Sequence, residues 1–259
     1  MGLIRLKRHC VVVVDFSENF SCIRQSEAQS AYYSRTQVPI HPMVTILREG
    51  KECILDSFVV ISDDLKHDST AVLVFFHKLF GRIKAKYKHV QNIHIWSDGC
   101  AAQYKSKLPF FHISRGLGQE SYTLTWNFFG SRHGKSAADG EAGVVKSTLA
   151  RLLKDENILI DNAADLFRVV SSSALSKPCG SSRCHFVFVD TASIEEYRCF
   201  DKKIRLSTVK GTRLLHQIIS PSRSVISYRP VSCYCTNEPC PHTNNDWQQH
   251  LFKGDLFIF

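Results

Sequence analysis

NIHIWSDGCAAQYKSK, residues Asn92–Lys107, begins as one kind of structure and ends as another. Ile93, Ile95 and Trp96 make a short apolar run that stops at Asp98-Gly99. A buried strand that ends in a carboxylate and a glycine presents that carboxylate at the carboxyl edge of a sheet, where open α/β sheets place their chemistry. Behind it, Gln103, Lys105 and Lys107 are polar and basic groups suited to a phosphate backbone. The plainer reading is a Ser-Asp-Gly turn with no chemistry attached. Two further stretches decide between them.

Upstream lies Cys10–Phe16, CVVVVDF. Four consecutive valines need cover on both faces, which marks a central strand rather than an edge. An acid at its end, Asp15, is costly unless it faces a solvated or metal-filled cleft. Downstream lies Phe128–Leu153, FFGSRHGKSAADGEAGVVKSTLARLL. There Gly134, Lys135 and Ser136 make a polar loop, a helix begins near Asp139, and Val145, Leu149, Leu152 and Leu153 share its apolar face.

Between these anchors the expected elements fall in order. Asn19–Ile23, Val44–Leu47 and Glu52–Ser62 read as strands, with Pro39 and Pro42 interrupting the path and Asp63-Asp64 closing the last. Asp68–Tyr87 reads as a helix: Ser69 is the expected N-cap, and Val72, Phe75, Phe76, Leu79, Phe80 and Ile83 recur at helical spacing. Its cations Lys78, Arg82, Lys84 and Lys86, with Lys88 beyond, are assigned to solvent. A strand at Asn92–Asp98, a short helix near Lys105–Ser114 and a strand at Tyr122–Phe129 follow. The fold class is therefore α/β: a mixed sheet flanked by helices.

That order, with acids at two strand ends and a helix start, resembles the RNase H-like fold of DDE/DDD transposases and integrases, and a eukaryotic transposon-derived group in particular. The resemblance rests on Asp15-Phe16-Ser17-Glu18-Asn19, on Ser97-Asp98-Gly99 with Gln103-Tyr104-Lys105, and on His133-Gly134-Lys135 with Asp139-Gly140, Gly143 and Lys146. It covers roughly residues 9–153. It implies metal-dependent DNA cleavage and strand transfer, with Asp15, Asp98 and Asp139 as the catalytic acids. Two Mg²⁺ or Mn²⁺ ions about 3.5–4 Å apart would activate the attacking oxygen and stabilise the leaving one, and such hard cations take carboxylate oxygens. Asp15 and Asp98 are 83 positions apart, and Asp98 and Asp139 are 41 apart, room for the intervening elements.

The third acid has two candidates. Asp139 and Glu141 point about 200° apart on a helix, so both cannot serve. Helical geometry leans towards Glu141, whereas the resemblance carries the metal role onto Asp139; the competing role of Asp139 is an N-cap. Lys105, Lys107, His133 and Lys135 are the expected DNA contacts. Glu18 reads as a supporting metal group or an exposed turn residue.

The implied partners are DNA, as element ends and target, and a homo-oligomer or a separate DNA-end-binding chain, in a nuclear setting. About nine residues precede the first strand, so the resemblance suggests a catalytic-domain fragment, a shortened copy or a host-retained derivative. The alternatives are a non-catalytic DNA- or protein-binding relic and a nuclease acting on RNA–DNA hybrids.

Composition agrees with a folded polyanion handler. Of 259 residues, 44% are hydrophobic, and the formal net charge is +9. Residues 1–153 carry 20 Lys and Arg against 13 Asp and Glu, and residues 154–259 carry 13 against 11. The chain opens MGLIRLKRHC, too quickly charged for a signal peptide, and no run approaches a membrane span. Ten scattered cysteines read as reduced and intracellular.

Residues 1–160 are assigned to the catalytic core and 161–259 to a smaller C-terminal extension of unknown role. In the extension Asp161–Val170 reads as helix, Ser171–Ser182 as loop and Cys184–Val189 as strand. Cys233, Cys235, Cys240 and His242 form a candidate structural Zn²⁺ set, although their spacing departs from the usual paired gaps. Cys179, Cys184 and His185 form a second such cluster.

Overall fold

The computed structural model describes residues 8–22, 36–118, 122–130, 136–155, 158–176, 182–234 and 247–252. In chain order the elements are β1 (His9–Val14), β2 (Phe20–Ser21), β3 (Gln37–Val38), β4 (Ile40–Glu49), β5 (Glu52–Ser62), α1 (Ser69–Lys86), β6 (Asn92–Ser97), α2 (Lys107–Ser114) and β7 (Thr123–Phe128). Then come α3 (Ala137–Leu152), α4 (Ala163–Ser172), β8 (Ser182–Val189), α5 (Thr191–Asp201), β9 (Gln217–Ser222), β10 (Val225–Arg229) and β11 (Gln248–Leu251). Among the described residues, nine strands form one mixed sheet in the order β11-β10-β9-β7-β6-β1-β4-β5-β8, while β2 and β3 pair separately.

The valine run lands in the sheet's interior. β1 pairs parallel to β6, with Val12 opposite Ile95, and antiparallel to β4, with Val12 opposite Thr45. Pro42 does not interrupt the path as expected; it lies inside β4, opposite Val59. Its carbonyl accepts from Asp15 N at 3.5 Å, so its missing N–H faces the point where β1 leaves the sheet and costs no ladder bond.

Both faces of β5 are buried, by alternate residues. Phe58 and Val60 join α1, α2 and β6 in the main core, whereas Val59 and Ile61 meet Val145 and Leu149 of α3 and Leu166 and Val170 of α4. All six apolar positions expected to face the core on α1 are buried. Its cap is Asp68 rather than Ser69: the Asp68 carboxylate accepts from Ala71 N at 2.9 Å.

Two of the cations assigned to solvent turn inward. Arg82 and Lys86 bond the buried Asp56 at 3.2 and 2.7 Å, and Tyr87 donates to it at 2.7 Å. Burial alone would raise the pKa of Asp56, but these donors outweigh it and hold the carboxyl below its ordinary value.

The residue-160 boundary does not divide the sheet. β8 pairs parallel to β5 at one edge, and β9 pairs antiparallel to β7 on the other side. Among the described residues, no helix is long and apolar enough to cross a membrane.

Candidate functional site

Parallel pairing of β1 and β6 puts the next residues of both strands at the same end of the sheet. Those residues are Asp15 and Asp98. They line one cleft of about 490 Å³ with Gly99, Cys100, Ala101, Lys105, Phe129, Gly130, Thr212, Arg213 and His216. The Asp98 carboxylate accepts from Cys100 N at 3.0 Å, which fixes the turn after β6.

Asp139 stands at the third position of α3 and closes a capping box. Its Oδ2 accepts from Ser136 N at 2.7 Å, and Ser136 Oγ accepts from Asp139 N at 3.4 Å. The capping role weighed against the metal role is therefore real, but the two are compatible. Asp139 does not line the cleft, yet its charge reaches Asp15. Burial, then Asp98, then Asp139 raise the Asp15 carboxyl to about 6. Glu141 points elsewhere, accepting from Ser57 Oγ on β5 at 2.7 Å. Glu18 is exposed.

Beneath the acids sits Tyr104, fully buried, with its hydroxyl 2.9 Å from His41 Nε2. Burial, then the charges of Asp15 and Asp98, push its pKa well up, so it stays a neutral hydroxyl. Tyr104 is the middle of the Gln-Tyr-Lys motif, of which the sequence reading gave a role only to its neighbours Gln103 and Lys105.

The two lysines expected to touch phosphate are each bonded to a main-chain carbonyl. Lys105 is 7% exposed and donates to the Arg213 carbonyl at 3.1 Å. Its ammonium also lies 5.2 Å from the centre of the Phe128 ring. Lys107 donates to the Leu206 carbonyl at 3.2 Å. Both thus hold the segment between α5 and β9, which sequence reasoning left unassigned. The available signal was its run of cations, diluted by the near-neutral balance of the whole extension.

His133 and Lys135 lie outside the described residues, as do Cys179, Cys235, Cys240 and His242. Cys233 is described, and its carbonyl accepts from Arg229 at 2.7 Å. Cys184 and His185 are consecutive on β8 and so face opposite sides of the sheet, which rules them out as joint ligands.

Among the described residues, no three His, Cys, Asp or Glu side chains are gathered at metal-holding spacing. The donor chemistry nonetheless suits hard cations. Oδ2 of Asp98 and Oδ1 of Asp139 have no protein partner among the described residues, and Asp15 is held short of easy ionisation first by burial, then by like charge.

A family model matches residues 5–232, which takes in the acids, the cleft and the strands on both sides of residue 160. The chain belongs to the family described as Domain of unknown function (DUF8701). No curated protein and no solved structure matches it. The family's span reaches Thr212, Arg213 and His216, so both walls of the cleft fall within it.

Proposed function

We propose that this chain is a transposase-like enzyme that cleaves and transfers DNA phosphodiester bonds with Mg²⁺ or Mn²⁺. One observation carries the reading: Asp15 and Asp98 leave adjacent parallel strands into one cleft, where burial first, then the charges of Asp98 and Asp139, raise Asp15 to about 6. The element order around them, strands before α1 and then β6, α2, β7 and α3, supports that reading. Asp15, Asp98 and Asp139 would hold the cations, which supply charge to the attacking and leaving oxygens of an in-line displacement.

The remaining groups support that chemistry. The Cys100 N–H fixes the Asp98 carboxylate, and the Ser136 cap fixes Asp139 at the start of α3. Tyr104, held by His41, adds no negative charge below Asp15. Lys105 braces the far wall through the Arg213 carbonyl and places one positive charge beside the acids. A DNA substrate carries with it a nuclear setting and a second chain or copy for end recognition.

The test is nicking of supercoiled plasmid with Mn²⁺. Wild-type protein is expected to nick, and Asp98→Asn to fall to background while melting like the parent, because Asn keeps the shape and removes the charge that a cation requires. Equal nicking by Asp98→Asn would sink the assignment. Wild-type protein that binds DNA and never cuts it, with Mn²⁺ and supplied element ends, would favour the non-catalytic relic.

A further inference from the structure

The segment 202–216, KKIRLSTVKGTRLLH, joins α5 to β9 and contributes one wall of the acid cleft. From Lys202 to Asn237 the chain contains no Asp or Glu, while Lys202, Lys203, Arg205, Lys210 and Arg213 crowd its first twelve positions. All five are exposed, and none forms an ion pair among the described residues.

This is a shaped loop and not a loose tail. Val209 and Leu215 are buried, each 2% exposed, and Ile204 and Leu206 pack against the main core. Thr212 Oγ1 donates to the Val209 carbonyl at 2.7 Å, and Leu214 N to the Gly211 carbonyl at 2.9 Å. Gly211 has φ +71°, a backbone conformation for which glycine is the natural choice. Lys105 and Lys107 grip the same loop at Arg213 O and Leu206 O. Two ammonium groups used on main-chain carbonyls leave the loop's own cations for an outside partner.

We propose that the loop Ile204–His216 is the rim that grips the DNA backbone beside the scissile phosphate, through Arg205, Lys210 and Arg213, with Lys105 and Lys107 as positioning residues that dock it. The inference rests on the DNA-cleaving reading above and names which residues bind the substrate. The physical need is plain. A cleft lined by Asp15 and Asp98, with the charge of Asp139 within reach, repels a polyanion, and cations on the opposite wall offset that repulsion without competing for the metals.

The experiment measures binding of full-length protein to a fluorescently labelled DNA duplex by anisotropy, in EDTA and across a salt series. Without metal, binding is read apart from catalysis. The triple variant Arg205→Gln, Lys210→Gln, Arg213→Gln should bind more weakly and lower the slope of log affinity against log salt by roughly 2–3, about 0.9 per lost phosphate contact.

The charge-matched control is Lys51→Gln, Lys84→Gln, Lys88→Gln. Those lysines sit at the β4–β5 turn and the end of α1, at the opposite end of the sheet from the acids, and the slope should not change. Lys107→Gln should keep the wild-type slope and hasten tryptic cutting at Lys210 and Arg213, as expected for a residue that docks the loop.

If both triple variants lose slope equally, charge alone governs binding and the rim assignment falls. A fall of about one in the slope of Lys107→Gln, with the rim triple unchanged, would reverse the roles and overturn the proposal. Wild-type protein that fails to bind at low salt would remove the DNA-cleaving reading as well. Wild-type binding with an unaffected rim triple removes the rim alone.

Discussion

Asp15 shows what a single residue can report. Its carboxyl is raised to about 6, first by burial, then by Asp98 and Asp139. A raised acid favours its protonated form in the folded chain, so its contribution to stability is full below the ordinary value near 3.8 and is lost as pH climbs through about 6. Metal-free wild-type protein should therefore lose stability across pH 4–6 relative to Asp15→Asn, by on the order of 1–2 kcal/mol once solvent screening is allowed for. Thermal melts of both proteins in chelator across that range measure it. Parallel pH curves would show that Asp15 does not carry this strain. Asp15 and Asp98 were legible in the sequence because an apolar run that stops at an acid has few structural uses. The carbonyl partners of Lys105 and Lys107 were not legible, because they lie 108 and 99 positions away and no local pattern encodes a partner at that distance.

At the scale of elements, legibility followed apolar periodicity. α1 could be read because every buried residue from Ala71 onward is aliphatic or aromatic; only its cap was placed one residue late, since Asp and Ser cap equally well. Phe75, 2% exposed, lies at the centre of that stripe against Phe16 and His41. Phe75→Ala should cost about 3–5 kcal/mol, read as a shift of the denaturation midpoint at unchanged slope. A midpoint equal to the parent's would mean the stripe is not core. By contrast α5 gave no signal, because its buried residues are Ile194 and Arg198, one apolar and one charged. β11, QQHL, alternates nothing apolar, and β9 contains Pro221 between two serines. These elements are strands and helix by virtue of their neighbours, which the sequence does not display locally. α3 was read from Val145 and Leu149, while its start was set by Ser136 and Asp139, a capping box that also places the third acid.

The whole molecule is one sheet assembled from both halves of the chain, and this changes what a truncation should do. A reading that ends the core at residue 160 retains all three acids and expects a smaller, active fragment. The pairing argues otherwise. β5 and β8 run in register from Leu55 opposite Ser182 to Ser62 opposite Val189, and β7 is covered by β9 on its outer side. Removing residues 161–259 would leave β5 and β7 as long, unpaired edges, which invite aggregation. The same cut removes Val189, Ile194, Ile218, Ile226 and Tyr228 from the main core. It also takes away Arg198, which is 4% exposed and bonds Asp64 at the end of β5 and Asp68 at the cap of α1. Asp64 and Asp68 would lose the guanidinium that ties the end of β5 to the cap of α1, against a typical domain stability of only about 5–15 kcal/mol. The fragment 1–160 should therefore show no cooperative urea transition and no nicking, whereas the full chain should unfold in a single step. A fragment that melts cooperatively at the midpoint of the full chain would mean that the later strands only decorate a finished core, and that the cleft's second wall is dispensable to the fold.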